Sequence, residues 1–182
     1  MAGIAVNDPH ETVPGERLVP PTLQDVFLAR KVVDRCLKPT PLLYSESLSR
    51  KLGFDLWLKC ENLQPIGAFK IRGGIYLISR LSAEQRARGV ASASTGNHGQ
   101  SIAYAARLFG ARAVICVPEN ANPLKVASME RLGAEVVKYG KDFDEARLHA
   151  AELGERDGML FIHSANEPDL IAGVGTYSLE II

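Results

Sequence analysis

From Val90 onward the chain alternates short apolar runs with longer stretches in which apolar residues recur at helical spacing. Val90 to Ala93, Ala113 to Val117, Glu135 to Lys138 and Met159 to Ile162 are short and bounded by turn residues, so they read as strands. The stretches between them read as helices. His98 to Phe109 is alanine-rich. The next helix follows Asn122, with Pro123 at its first position and Gly133 beyond its last. A third, running to Leu153, opens on Asp142 with Glu145 three residues later, the spacing of a capping box. Strands separated by helices predict a parallel sheet with right-handed crossovers, a small open α/β domain over about residues 89 to 164. Ligands of such sheets sit at the carboxyl ends of the strands.

The first half is less regular. Residues 1 to 21 are rich in proline, glycine and charge and are expected to form a mobile arm. Thr22 is an N-cap candidate for a helix whose stripe is Leu23, Val26, Phe27 and Val33. Phe54 to Lys59 reads as a strand that leads into the run Glu61 to Gly74, which reads as a glycine-flanked loop.

Composition narrows the function classes. The 182 residues can bury a real core, and 21 basic against 21 acidic residues leave no net field. No run of like charge marks a nucleic-acid surface or a polybasic membrane patch. No apolar stretch approaches the roughly 20 residues of a membrane span, and the N-terminus lacks a signal-peptide pattern, so a cytoplasmic protein is expected. Cys36, Cys60 and Cys116 are widely spaced among apolar neighbours and read as reduced core thiols. His10, His98, His149 and His163 share no metal-ligand spacing, so no metal site is expected. Small-molecule chemistry remains.

Two runs carry that chemistry. Lys70 stands in Pro65-Ile66-Gly67-Ala68-Phe69-Lys70-Ile71-Arg72-Gly73-Gly74. A lysine amine is protonated in water, with a pKa near ~10.4, and becomes a nucleophile for carbonyl groups when desolvated. Most lysines only cap or snorkel; an apolar, glycine-flanked setting makes Lys70 a Schiff-base candidate. The second run, Ser94-Thr95-Gly96-Asn97-His98-Gly99-Gln100, lies between a strand and a helix. Backbone N–H groups there, with donors from Ser94, Thr95 and Asn97, suit a carboxylate or phosphate, and Gly96 and Gly99 let an anion approach. Taken alone, it would be a capped helix start. A dinucleotide site lacks its leading Gly-x-Gly, since only Gly96-x-x-Gly99 is present, and Lys70 has neither neighbour that a P-loop requires.

Together the two runs resemble the fold-type II pyridoxal-phosphate enzymes, most closely their threonine and serine dehydratase branch. Thr40-Pro41-Leu42, Lys59 to Gln64, the lysine run, Ser94 to Gln100, Lys125, Leu132 to Val136, Ala172 to Thr176 and Glu180-Ile181 fall in the family's order, over roughly residues 22 to 182. The resemblance implies a three-layer, tryptophan synthase beta-like fold. Residues 22–88 would begin a large domain, 89–164 form the small domain, and 165–182 return to the large one. It implies pyridoxal phosphate on Lys70, which would also remove the substrate Cα proton, with Phe69 beside the cofactor and Asn97 on its ring hydroxyl. Ser94, Thr95, Gly96 and His98 would hold the substrate carboxylate. The implied reaction is elimination of water and ammonia from L-threonine or L-serine, by a homo-oligomer in the full-length form.

Two positions depart from the family pattern. Ala68 replaces a common serine. Thr95 stands where serine racemases place an acid/base serine, and its stiffer side chain favours elimination over racemisation. β-Replacement of the cysteine-synthase type uses the same lysine; His98 and Ile71-Arg72-Gly73 favour the dehydratase. Relatives continue into a glycine-rich phosphate loop after the Glu-Ile element, so the chain is expected to be an N-terminal half, and one alternative is an incompetent fragment that exposes Leu56, Trp57 and Leu58.

Overall fold

A computed structural model describes residues 19–182. The helices are α1 (Leu23–Cys36), α2 (Glu46–Leu52), α3 (Lys70–Ser79), α4 (Ala83–Arg88), α5 (Asn97–Phe109), α6 (Pro123–Arg131), α7 (Phe143–Asp157) and α8 (Pro168–Gly175). The strands are β1 (Leu42–Tyr44), β2 (Trp57–Lys59), β3 (Val90–Ala93), β4 (Ala113–Val117), β5 (Glu135–Lys138) and β6 (Leu160–Ile162). Single 3₁₀ turns lie at Glu61–Leu63 and Ser178–Glu180. Most of the arm expected over residues 1 to 21 lies outside the described residues.

The four later strands form one parallel sheet in the order β5-β4-β3-β6. β3 and β4 are buried along their whole length because helices cover both faces. Ala91, Ala93, Val114 and Cys116 meet Ala146, Ala150 and Leu153 of α7. On the other face Val90, Ile115 and Val117 join the main core with Ile102 of α5 and Met129 of α6. The result is a three-layer arrangement in which β3 delivers the chain into the Ser94–Gln100 loop at the carboxyl edge of the sheet. β1 and β2 form a separate antiparallel pair, with Leu43, Tyr44, Trp57 and Leu58 exposed.

Several local expectations shift. The capping at Thr22 is reciprocal, its side chain accepting from the Asp25 N–H while Asp25 accepts from the Thr22 N–H. The buried stripe of α1, however, runs through Ala29 and Val33, and Leu23 and Phe27 face out. Val26 packs instead over Gly175. At α7, Asp142 accepts from the Glu145 N–H, but Glu145 reaches back to the Lys141 N–H rather than that of Asp142. That helix also runs one turn past Leu153, to Gly158 in the left-handed region. The largest change is at the lysine. The run expected to be a loop turns at Gly67 (φ 68°) and then becomes helix α3, with Lys70 its first residue.

Helix α3 is fixed by close crossings and by charge. Ile71, Ile75 and Ile78 are fully buried on one face. A Cβ on Gly73 would stand 2.6 Å from the Leu170 carbonyl oxygen, and one on Gly74 2.7 Å from that of Ser101, so the glycines let α8 and α5 approach. Arg72 has no exposed surface. Its Nε and Nη2 each donate to Glu61 at 2.8 Å, and Nη1 donates to Glu180 at 2.6 Å. Lys59 donates to the other Glu180 oxygen at 2.6 Å and to the Thr40 carbonyl at 2.6 Å, while the Thr40 hydroxyl donates to Glu61 at 2.6 Å. Two cations and two carboxylates thus close a neutral, hydrogen-bonded cluster of the kind that burial requires.

Burial alone would raise the Glu61 and Glu180 carboxyls, but hydrogen bonds from Arg72, joined by Thr40 and Lys59, outweigh it and hold both below their ordinary range. Their contribution is therefore full above the ordinary glutamate pKa of about 4.3 and fades as pH falls through the depressed folded values. Arg72→Met should cost about 3–5 kcal/mol at neutral pH in urea unfolding, because it strands two buried carboxylates. The gap from wild type should narrow below pH ~4, where protonation discharges them. Loss of the exposed Arg80–Asp169 pair by Arg80→Ala should cost under about 1 kcal/mol.

Candidate active site

Lys70 opens α3 beneath the carboxyl edge of the parallel sheet. Its carbonyl accepts from the Ser101 hydroxyl at 2.6 Å, tying the first turn of α3 to α5. Its Nζ donates to the Ser164 carbonyl at 3.4 Å, just beyond β6. Two residues on, the Arg72 cluster pins the same turn from the opposite side. Lys70 is thus half-buried, its backbone turn fixed by Ser101 and the Arg72 cluster and its amine directed by the Ser164 carbonyl.

The Ser94–Gln100 loop supplies anion donors. Ser94 is buried, and its oxygen accepts from the Gly96 N–H at 3.1 Å and the Gly99 N–H at 2.8 Å. With both acceptor positions used, its O–H remains to donate. The first-turn N–H groups of Asn97 and His98 have no acceptor among the described residues, as expected of a helix start, and the helix dipole adds positive potential there. Thr95 and Asn97 are exposed on this edge. A Cβ on Gly96 would meet nothing within 4 Å, so space is open above it. Gly99 serves another purpose: a Cβ there would collide with Met129 Sδ and stand 3.1 Å from Ile115, so this glycine answers packing rather than anion approach.

His98 is constrained more tightly than its sequence context shows. The Ser92 hydroxyl donates its one hydrogen to the Ile162 carbonyl at 2.8 Å. Its 2.9 Å contact with His98 Nε2 must then be a donation from the ring. That fixes the neutral tautomer with hydrogen on Nε2 and leaves Nδ1, a buried atom without a partner, as a lone pair. Burial, then the nearby charges of Lys70 and His163, push the imidazole down to about 3. The ring is therefore neutral, with its one unpartnered nitrogen an acceptor, and the polar donors at this loop are the backbone N–H groups and the Ser94 hydroxyl.

Asn97 Oδ1 accepts from Lys125 Nζ at 3.0 Å and from Gln100 Nε2 at 3.4 Å, which turns its Nδ2 donors outward. Phe69 is 41% exposed and packs at a tilt on Tyr177, with ring centroids 5.9 Å apart. The sequence reading missed Ser92, Ser101, Ser164 and the Arg72 partners. Ser92 had one visible signal, a hydroxyl inside an otherwise apolar strand.

An amine at a helix start, at the same sheet edge as a loop of unpaired N–H groups and an exposed amide, fits the needs of pyridoxal phosphate, whose aldehyde takes a lysine and whose ring hydroxyl takes a donor. No group of three or more His, Cys, Asp or Glu residues among the described residues could hold a metal. Over residues 33–182 the chain matches the family of pyridoxal-phosphate dependent enzymes, and it belongs to that family. It is 44% identical over 161 residues to the L-threonine ammonia-lyase of Thermotoga maritima, covering 88% of this chain and 40% of that one. The processed threonine deaminase isoform 2 of Solanum lycopersicum superposes with a TM-score of 0.79 at 35% identity, over 94% of this chain and 52% of that one. Maize serine racemase superposes with 0.85 at 32% identity, over 90% and 50%. The chain thus spans about half or less of the length of these relatives, and among its described residues no helix is long and apolar enough to cross a membrane.

The His98 ring should show no titration between about pH 5 and 8 in nitrogen-detected NMR and should carry its hydrogen on Nε2 throughout. Because its folded pKa lies below the unfolded value of about 6.5, stability should fall as pH drops from there toward 3. Ser92→Ala should release the tautomer preference.

Proposed function

We propose that this chain carries the lysine and the carboxylate loop of a pyridoxal-phosphate-dependent ammonia-lyase that eliminates water and ammonia from L-threonine or L-serine. What supports it is that Lys70 reaches Ser164 just beyond β6 while the Ser94 loop and the unpaired N–H groups of α5 follow the neighbouring strand β3, in a chain similar to threonine ammonia-lyases. Pyridoxal phosphate, when bound, would supply the electron sink that makes the substrate Cα proton acidic.

The protein's own residues do the rest. Ser94 O–H and the Asn97 and His98 N–H groups orient the carboxylate, which sets the Cα–H bond toward Lys70. Lys70 Nζ would accept that proton as the general base. The Ser164 carbonyl 3.4 Å from Nζ keeps the amine directed at the edge of the sheet. His98, neutral in this setting, adds no cation that would compete for the carboxylate. Thr95 lies exposed on the same loop with a restricted hydroxyl, which supports elimination by one base over racemisation by two. Loss of the β-hydroxyl as water, regained on hydrolysis, leaves a 2-oxo acid and ammonia. The same reading takes the whole enzyme to be a cytoplasmic homo-oligomer.

Ammonia and 2-oxo acid release from L-threonine and L-serine in the presence of pyridoxal phosphate is the test. Lys70→Ala should lower turnover by about a thousandfold or more. Thr95→Ser should raise any racemisation relative to elimination. Equal rates in wild type and Lys70→Ala would sink the reading.

A further inference from the structure

Beyond the residues that would touch the cofactor, we propose that Lys125 is a positioning residue that sets which end of the Asn97 amide meets the cofactor's ring hydroxyl. This rests on the reading of Lys70 and Asn97 given above. Lys125 stands in the first turn of α6 and Asn97 is the first residue of α5, so both flank the carboxyl edge where β3 and β4 end.

An asparagine amide is nearly symmetric in shape, and on an exposed edge nothing in the residue itself decides between its carbonyl and its NH₂ end. Lys125 decides it. An ammonium has only donors, so at 3.0 Å it can hold only Oδ1, and Gln100 Nε2 donates to the same oxygen at 3.4 Å. Both Nδ2 hydrogens of Asn97 are left without an acceptor among the described residues. A ligand group placed there must accept, as the ring hydroxyl oxygen of pyridoxal phosphate does and most strongly when ionised. The positive charge behind the carbonyl also polarises the amide, which strengthens the donation from Nδ2. Lys125 therefore acts through Asn97 and need not touch the cofactor.

The test is equilibrium binding of two ligands, pyridoxal phosphate and its deoxy analogue lacking the ring hydroxyl, to wild type, Lys125→Ala, Lys125→Arg and Asn97→Ala. Lys125→Ala should weaken pyridoxal phosphate about tenfold and leave the deoxy analogue within about twofold. Asn97→Ala should show the same selectivity, the double variant should lose no more than either single one, and Lys125→Arg should recover most of the loss. Lys125→Met, which keeps the aliphatic stem, replaces Lys125→Ala if that variant fails to fold. Equal weakening of both ligands, or of neither, overturns the role of Lys125 and leaves the function of Lys70 standing. A wild-type protein that binds neither ligand overturns both.

Discussion

The Arg72 guanidinium, fully buried and held by two carboxylates, is the interaction on which the rest of the site depends. Its partners come from distant stretches of chain: Glu61 from the 3₁₀ turn after β2, and Glu180 from the turn after α8. Lys59 and Thr40 close the cluster from β2 and from the approach to β1. A network of this kind is weak evidence for stability, since desolvation offsets most of the Coulombic gain. What it provides is registry: the first turn of α3 has one position in which all donors and acceptors are used, and Lys70 lies two residues before the guanidinium.

The close helix crossings work to the same end. Gly73 and Gly74 weaken α3 as a helix by roughly 1 kcal/mol each relative to alanine. They nevertheless stand where α8 and α5 come within backbone contact. Close approach brings the Ser101 hydroxyl onto the Lys70 carbonyl and so couples the lysine to the helix whose N-terminus forms the donor loop. Positioning of the Lys70 turn and of the start of α5 is thus shared between one polar cluster and one glycine crossing.

The parallel sheet was legible because its strands are apolar runs with proline, glycine and asparagine between them. Val90 to Ala93, Ala113 to Val117 and Glu135 to Lys138 occupy the expected strands, and α6 begins at Pro123 as its punctuation indicates. Helix α3 was not legible, because paired glycines oppose a helix locally and only the facing helices offset that cost. The face of α1 was misjudged for a related reason: Leu23 and Phe27 continue the periodicity, but α3 and α8 meet the side bearing Ala29 and Val33. Ser94 and Asn97 could be picked out as donors from the strand-loop-helix context. The tautomer of His98 and the bond between Lys125 and Asn97 could not, since they depend on contacts between residues brought together only by the sheet.

Borohydride trapping asks whether Lys70, so constrained, is the amine that holds pyridoxal phosphate. The protein would be incubated with pyridoxal phosphate, reduced, digested and mapped by mass spectrometry. One dominant pyridoxyl label is expected, on Lys70, at near-stoichiometric occupancy. Label spread over exposed lysines such as Lys51, with Lys70 unmodified, would contradict it.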